Sequence, residues 1–573
     1  FSEGDQSAAA ATYLQRFEEV AATGPMPERS KLSRAATAVG FNFTLGANIS
    51  GGIVNLSQIP LVTLPYLSGK YGLGPTMKYI GEATKLFKNS GFERKIMSYS
   101  DKLDANGNPI MEERTIKAPL SISNYDFSDP NMDPETKQLE VAVEVFDEYG
   151  QFKRSLDYEI LDLDNMSSTA AKFNRMSGFM QHHGERINRE VALIAAYRGA
   201  LNAMSPEARN NPEKQREAAI QAIKDVETTN GGIAAGAAPP IAKNSLGAVV
   251  FMYKRYGVTM IGMLFDILGK LFKGSMADRR TAAFQLAGIY GASSLLAGVH
   301  GVPGFGLMTT VIDTGMAAFG LDPGGEDDDA KTMVRAYLGE GPYKGAINYY
   351  AGVNVASRIG LSELLFRDQI IQKEQPFLWD LAEQLGGPLV GISLNLDRGY
   401  KLLKEGELYR GAEAMAPAAI KNAMKAMRYS EWGEGGINTI DGKPIVSDIS
   451  TGHILAQAMG FTPSEYSAQM SSNARAMGLQ KGIEKRRRRL FDRFARATFE
   501  NDDEARAEVL ADIQEYNQRY PQYPILADNL IKSIRGRQRR REEAYFGMTI
   551  NPKLRSTVIQ NAERYGDPVY TLG

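Results

Sequence analysis

The chain of 573 residues contains four histidines and no cysteine, which narrows the chemistry open to it. Without thiols there are no disulfides, no thiolate nucleophile and no cysteine-ligated zinc. His182 and His183 adjoin in "MQHHGER", beside Glu185. Adjacent helical positions point about 100° apart, so the two rings do not converge on one metal ion. His300, at a glycine break, and His453, near a helix start, read as structural. "DANGNP" sets Asp104, Asn106 and Asn108 like the opening of a calcium loop, but the glycine is misplaced and Thr115 stands where the closing glutamate belongs. It reads as a turn. Walker A, GxSxG and HExxH patterns are absent, and "GVPGFG" (Gly301 to Gly306) lacks both the spacing and the preceding strand of a dinucleotide loop. These residues predict no enzyme, no cofactor and no metal site.

Positive charge is the other chemical resource. It concentrates in "EKRRRRLFDRFARA" (Glu484 to Ala497) and "IRGRQRRR" (Ile534 to Arg541). On a helix, Arg486, Arg489, Arg493 and Arg496 share one face, while Leu490, Phe491 and Phe494 turn toward packing partners. Convergent cations are all that phosphate contact requires, so these four with Arg537 and Arg540 are candidate contacts to DNA phosphates, without sequence reading. The alternative is a solvated face paired with the acidic run "NDDEARAEVLAD". The formal net charge is -1, so any affinity for polyanions must be local.

The elements that must carry these groups are mostly helical. Apolar residues recur at three- and four-residue intervals in "YLQRFEEVAA", "NREVALIAAYRGALNAM" and "EARAEVLADIQEYNQRY". Pro60 and Pro65 should break the apolar block from Phe41 to Leu67 into short pieces. Two hairpins are expected, one near residues 95–118 turning at Asn106-Gly107, the other turning at Asp441-Gly442. Glycine-rich linkers are expected at Thr228 to Ser245 and Leu321 to Asp329. They divide the chain into an N-terminal helical region (1–230), an apolar centre (231–329) and a C-terminal helical region (330–573). The predicted fold class is mainly α: an elongated multi-helix assembly with one or two small hairpins and a central apolar helical hairpin. A start at "FSEGDQ", without methionine or a signal-peptide pattern, suggests a processed product or part of a longer polypeptide.

The centre is unlike its surroundings. Between Arg280 and Asp313 there is no Asp, Glu, Lys or Arg. Thr281 to Val299 would be about 28 Å long as a helix, against a hydrocarbon core of ~30 Å. Glycines and Pro303 then interrupt it, and Leu307 to Leu321 forms a second apolar piece. Upstream, "GAVVFMYKRYGVTMIGMLFDILGKLFKG" has the pattern of an amphipathic or interfacial helix. Small residues lie four apart (Gly288 with Ala292, Ser293 with Ala297, Ser294 with Gly298), as in closely packed helices. One reading is a membrane segment carried by Ala287, Gly288, Gly291, Leu295, Leu296, Gly298 and Phe305. The other is a helical hairpin buried in a large bundle, and a third has the segment buried in one assembly state and lipid-exposed in another.

Several blocks, in order, resemble a known family. "NISGGIVNLSQIPLVTLPYL", "FMYKRYGVTM", "NVASRIGLSELLF", "GGPLVGISLNLDRGYKLLKEGELYRGAEAMAPAAIKNAMKAMRY", "MGFTPSEYSAQ" and "YNQRYPQYPILADNLIKSIRGR" are similar to the PLxRFG-containing, or large polyvalent, proteins of phages and prophages. The nearest text to the namesake motif is "NPKLRS" (Asn551 to Ser556). The resemblance implies an internal virion, or ejection, protein of a short-tailed phage. Such a protein is stored near the portal, leaves through the tail and forms a homo-oligomeric conduit across the host envelope. Implied partners are other ejection, core and portal proteins, phage DNA and the host membrane. Implied locations are the virion interior and then the host periplasm and inner membrane. A virion core or portal-associated scaffold that never meets lipid is the competing expectation; a peptidoglycan hydrolase with unmarked carboxylates ranks last.

Overall fold

The computed structural model describes residues 31–91, 93–103, 109–117, 120–152, 168–230, 255–319, 329–359, 387–542, 544–545, 548–549, 551 and 553–565. It is mainly α, as the periodicity requires. The chain divides into two compact units. The first comprises residues 1–312 and 330–470, the second 313–329 and 471–573. The N-terminal helices and most of the apolar centre therefore belong to one body.

The first unit opens with α1 (Lys31–Thr44) and α2 (Ile49–Leu56). A π-turn (Ile59–Thr63) and α3 (Leu64–Tyr71) follow, each with its proline, Pro60 or Pro65, in the first turn. There the missing N–H of proline leaves no helical bond unmade, so the prolines divide the block without wasting a donor. α4 (Leu73–Asn89) leads into β1 (Glu93–Leu103) and β2 (Pro109–Lys117), paired antiparallel with Glu93 opposite Lys117. The hairpin expected near 95–118 is thus present, while its Asn106-Gly107 turn lies outside the described residues. Next come α5 (Glu140–Glu148), α6 (Ser168–Ser177), α7 (Phe179–Asn202) and α8 (Pro212–Asn230). The first three residues of the expected Thr228 to Ser245 linker complete α8, and residues 231–245 lie outside the described residues.

The core is organised around α7, buried from Asn188 through Tyr197 and packed by α2, α4 and α8. Leu193, Ile194 and Tyr197 are enclosed with Leu61, Leu67, Phe146 and Ile223. Full burial of such side chains contributes about 1.5–3 kcal/mol each. The centre supplies α9 (Arg255–Lys273), α10 (Met276–Ala297) and α11 (Phe305–Ala318). α12 (Ala330–Leu338) and α13 (Glu340–Ala351) follow, and α13 is kinked at Gly345.

The remainder of the first unit holds α14 (Gly387–Lys404), α15 (Leu408–Met415), α16 (Ala418–Tyr429) and α17 (Thr451–Ala458). α1 packs on α14 and α16, and the Ser50 amide donates to Met459 O at 2.9 Å, so opposite ends of the sequence meet. Two short pairs complete this part: β3 (Val353–Asn354) with β6 (Thr462–Pro463), and β4 (Ile437–Asn438) with β5 (Pro444–Val446). The second is the hairpin expected at Asp441-Gly442. Gly442 has φ 74°, the left-handed backbone that favours glycine in such a turn.

α18 (Ser464–Glu500) runs into the second unit, which adds α19 (Asp503–Arg519), α20 (Ala527–Glu542), a short β7–β8 pair (Ala544–Tyr545 with Met548–Thr549) and α21 (Arg555–Arg564). Its core gathers Leu490, Val509, Ile513, Tyr516, Tyr520, Ile525 and Leu530. Phe491 and Phe494 pack against it partly buried. The pairs β3–β6 and β7–β8 had no turn signature in the sequence.

Candidate functional site

α10 begins earlier than its apolar run suggests. Ser275 caps it: its Oγ accepts from the Asp278 amide at 3.2 Å, and the Asp278 carboxylate accepts from the Ser275 amide at 3.1 Å. This reciprocal box satisfies two of the donors that every helix start leaves open. The first turn is consequently charged. Among the described residues no helix is long and apolar enough to cross a membrane. Thr281 to Val299 therefore does not form a membrane-crossing helix: α10 ends at Ala297 and has the polar Gln285 and Ser293 on its buried face.

α10 also pairs differently from expectation. The glycine break after Ala297 forms, but the helix finds its main partners in α3, α9 and α13 rather than in the second apolar piece. Ala282, Gln285, Ile289, Ser293 and Ala297 make up its buried face. Gln285 Nε2 donates to Tyr66 O at 3.0 Å, and Gly288 lies so near Pro65 that a Cβ there would be 2.9 Å from the proline Cβ.

Among the described residues nothing covers the opposite face of α10. Phe284 is 58% exposed and Leu295 66%, with Tyr290, Ala287 and Gly291 between them. On α9, joined to α10 through Gly274 and Ser275, Phe265 and Phe272 are exposed by 69% and 70%. Of the candidate membrane residues, Ala287, Gly291 and Leu295 thus lie on the outer face. Gly288 and Leu296 are half-buried, and Gly298 and Phe305 are buried. A helix apolar all round usually has neighbours all round. In α10 the run after Arg280 has, among the described residues, neighbours on one side.

The basic candidates are compensated in part. Arg486 donates to Glu515 at 3.1 Å, and Arg493 reaches both Glu508 at 2.9 Å and Asp512 at 2.6 Å. Arg537 pairs with Asp492. Arg489 and Arg496 are exposed on α18; Arg540 belongs to α20, with its side chain outside the described residues. The acids of α19 lie one packed helix away from the arginines of α18, which makes this surface a mixed-charge face. Such exposed pairs contribute only about 0–1 kcal/mol each, so a phosphate could still displace them.

The sequence did not reveal the charges inside the first unit. Arg189 and Glu190 are 2% and 1% exposed, in mid-α7. Glu190 accepts from the Ile122 amide at 2.6 Å and Ser121 Oγ at 3.0 Å, and pairs with Arg186 at 2.8 Å. Burial raises its pKa, against the opposing pull of these donors. Arg189 donates to Gln151 Oε1 at 3.2 Å. On α8, Asp225 pairs with Lys70 of α3 and accepts from Tyr71 Oη at 3.2 Å and Gln221 Nε2 at 2.9 Å. Burial opposes the Lys70 charge, but Asp225 outweighs it and the net pKa is raised. These groups are consumed by one another and bind helices together. A charged residue within "INREVALIAAY" ordinarily faces solvent, so only its unbroken apolar flanks hinted at burial.

His183 packs against Phe179, with ring centroids 4.1 Å apart. Among the described residues no group of three or more His, Cys, Asp or Glu side chains could hold a metal ion. His453 follows the helix cap of Ser450, whose Oγ accepts from its amide at 3.2 Å.

His300 lies between Tyr343, stacked at 5.6 Å, and Phe305 at 6.3 Å. Its pKa is lowered to about 4 by burial and then by Lys331 and Lys344. The unfolded chain takes up this proton near pH 6.5, whereas the folded one resists it down to about 4. Stability is therefore complete above pH 6.5 and falls by up to roughly 3 kcal/mol as the pH drops toward 4. Urea unfolding across this range should show that loss, and His300→Phe should remove this component.

Comparison with family models, curated proteins and solved structures returns no match.

Proposed function

We propose that this chain is an internal virion (ejection) protein of a short-tailed phage, released through the tail and assembling with copies of itself into a conduit across the host envelope for genome delivery. The observation that carries the reading is the exposed apolar run of α10 from Phe284 to Leu295, with Phe265 and Phe272 also exposed on α9. An apolar helical surface left in water marks a place where a partner binds. The ordered block resemblance to large phage polypeptides supports the same role. Its partners in this reading are further copies, other ejection, core and portal proteins, the host membrane, and phage DNA held without sequence specificity. DNA would meet the arginines of α18 and α20 by displacing their carboxylates. The chain would reside in the virion interior, then in the host periplasm and inner membrane.

A virion core or portal-associated scaffold that never enters a membrane is the second reading. It is favoured by the lack of any membrane-crossing helix among the described residues. Both readings use the α9–α10 face, and they part on lipid. Flotation with liposomes of anionic phospholipid separates them. The conduit reading expects the native protein to float and the folded Phe284→Arg, Leu295→Arg variant to stay behind. Native protein that remains at the bottom of the gradient favours the scaffold.

A further inference from the structure

α14 and α16 bring together three cations, and among the described residues Glu413 is the carboxylate that acts on their lysines. Lys421 and Lys425 are one turn apart on α16, both half-buried. Lys421 Nζ donates to Asn395 Oδ1 of α14 at 3.3 Å, and Arg398 follows Asn395 by three residues on that helix. The nearby acid, Glu413 of α15, is already engaged by both edges of Arg428 at 2.9 and 3.2 Å. Among the described residues, neither Arg398 nor Lys425 has an ion-pair partner. Burial lowers the pKa of both lysines; Arg398 is the next cause at Lys421, and Lys421 the next at Lys425.

We propose that Arg398, Lys421 and Lys425 form a binding site for a phosphoryl group, with Asn395 orienting one of its lysines. A compact anion with several oxygens accepts from two ammonium groups and a guanidinium at once, and it removes the mutual repulsion that the fold otherwise carries. Burial strengthens the attraction above that of surface lysines. The site is independent of the apolar face of α9 and α10 and of the role proposed for it. A soluble phosphate and a lipid headgroup offer the same chemistry.

Calorimetric titration of the full chain with inorganic pyrophosphate, beside co-sedimentation with phosphatidylglycerol vesicles, tests the site and separates the sources. Lys421→Gln with Lys425→Gln should weaken binding at least tenfold, and the exposed Arg398→Gln should weaken it several-fold without threatening the fold. The double variant should also melt at a higher temperature than the native protein in phosphate-free buffer, since the repulsion it removes outweighs the one hydrogen bond from Lys421 to Asn395 that it gives up. Loss confined to pyrophosphate assigns a soluble ligand, and loss confined to vesicles assigns a headgroup. Native protein that binds neither, or variants that bind as the native protein does, would overturn the proposal.

Discussion

Asp225→Ala should destabilise the first unit by about 3–5 kcal/mol, the range for removing one partner of a buried ion pair. Three groups lose their acceptor together: Lys70 on α3, Tyr71 beside it, and Gln221 one turn away on α8. Asp225 is 1% exposed, so water does not replace it. Lys70, a half-buried side chain, would then keep its charge without its ion-pair partner, and burial would pull its pKa down where Asp225 now holds it up. Asp225→Asn keeps an acceptor for Gln221 and Tyr71 and should cost less. Because the folded pKa of Lys70 is raised, the stabilisation is complete below pH 10.5 and disappears as the pH climbs through the folded value. Urea midpoints of the two variants, at neutral and alkaline pH, check both statements.

The second large effect belongs to the junction after α10. Gly298 has φ 71° and ψ −179°, a conformation almost confined to glycine. A Cβ there would stand 2.2 Å from Tyr343 O and 2.4 Å from the Gly345 nitrogen. Gly345, at φ 84°, faces it with equal closeness: its Cβ would lie 2.2 Å from the Gly298 nitrogen. The obstacles are backbone atoms, which cannot rotate aside. Gly298→Ala combines backbone strain of about 1–3 kcal/mol with overpacking of about 1–3 kcal/mol, and α13 should detach from the end of α10. Hydrogen exchange of the amides from Ala297 to Gly301 should quicken sharply. Gly291→Ala is the control: it lies inside the same helix with nothing within 4 Å of its Cβ, and should be neutral or stabilising by up to about 1 kcal/mol. Equal losses in both variants would contradict the close backbone approach.

These two positions also mark how far the sequence could be read. Local signals were sufficient for local structure: Pro60 and Pro65 divide their block as expected, and Asp441-Gly442 turns its hairpin. The helical class follows from the spacing of apolar residues. Long-range pairing was not legible. Gln285 meets Tyr66 across 219 positions, and the charge-free run after Arg280 gives no sign of which side it will bury. For that reason the sequence alone does not separate Gly288, Leu296, Gly298 and Phe305 from Ala287, Gly291 and Leu295, which the fold divides. The acidic run after α18 did carry a signal, and its Glu508 and Asp512 meet Arg493. Arg189 and Glu190 carry no local signal, because burial of a charge depends on partners distant in sequence, such as Gln151 and Ile122.

In the function proposed above, the exposed apolar side chains of α9 and α10 form an assembly surface. Sedimentation velocity over a hundredfold range of protein concentration tests it most directly, with the native chain beside a Phe284→Arg, Leu295→Arg variant. Both side chains are exposed, so the variant should keep the native fold and urea midpoint. The native chain should self-associate with rising concentration, and the variant at least tenfold more weakly. A native chain that stays monomeric throughout, or a variant that associates equally well, would contradict it.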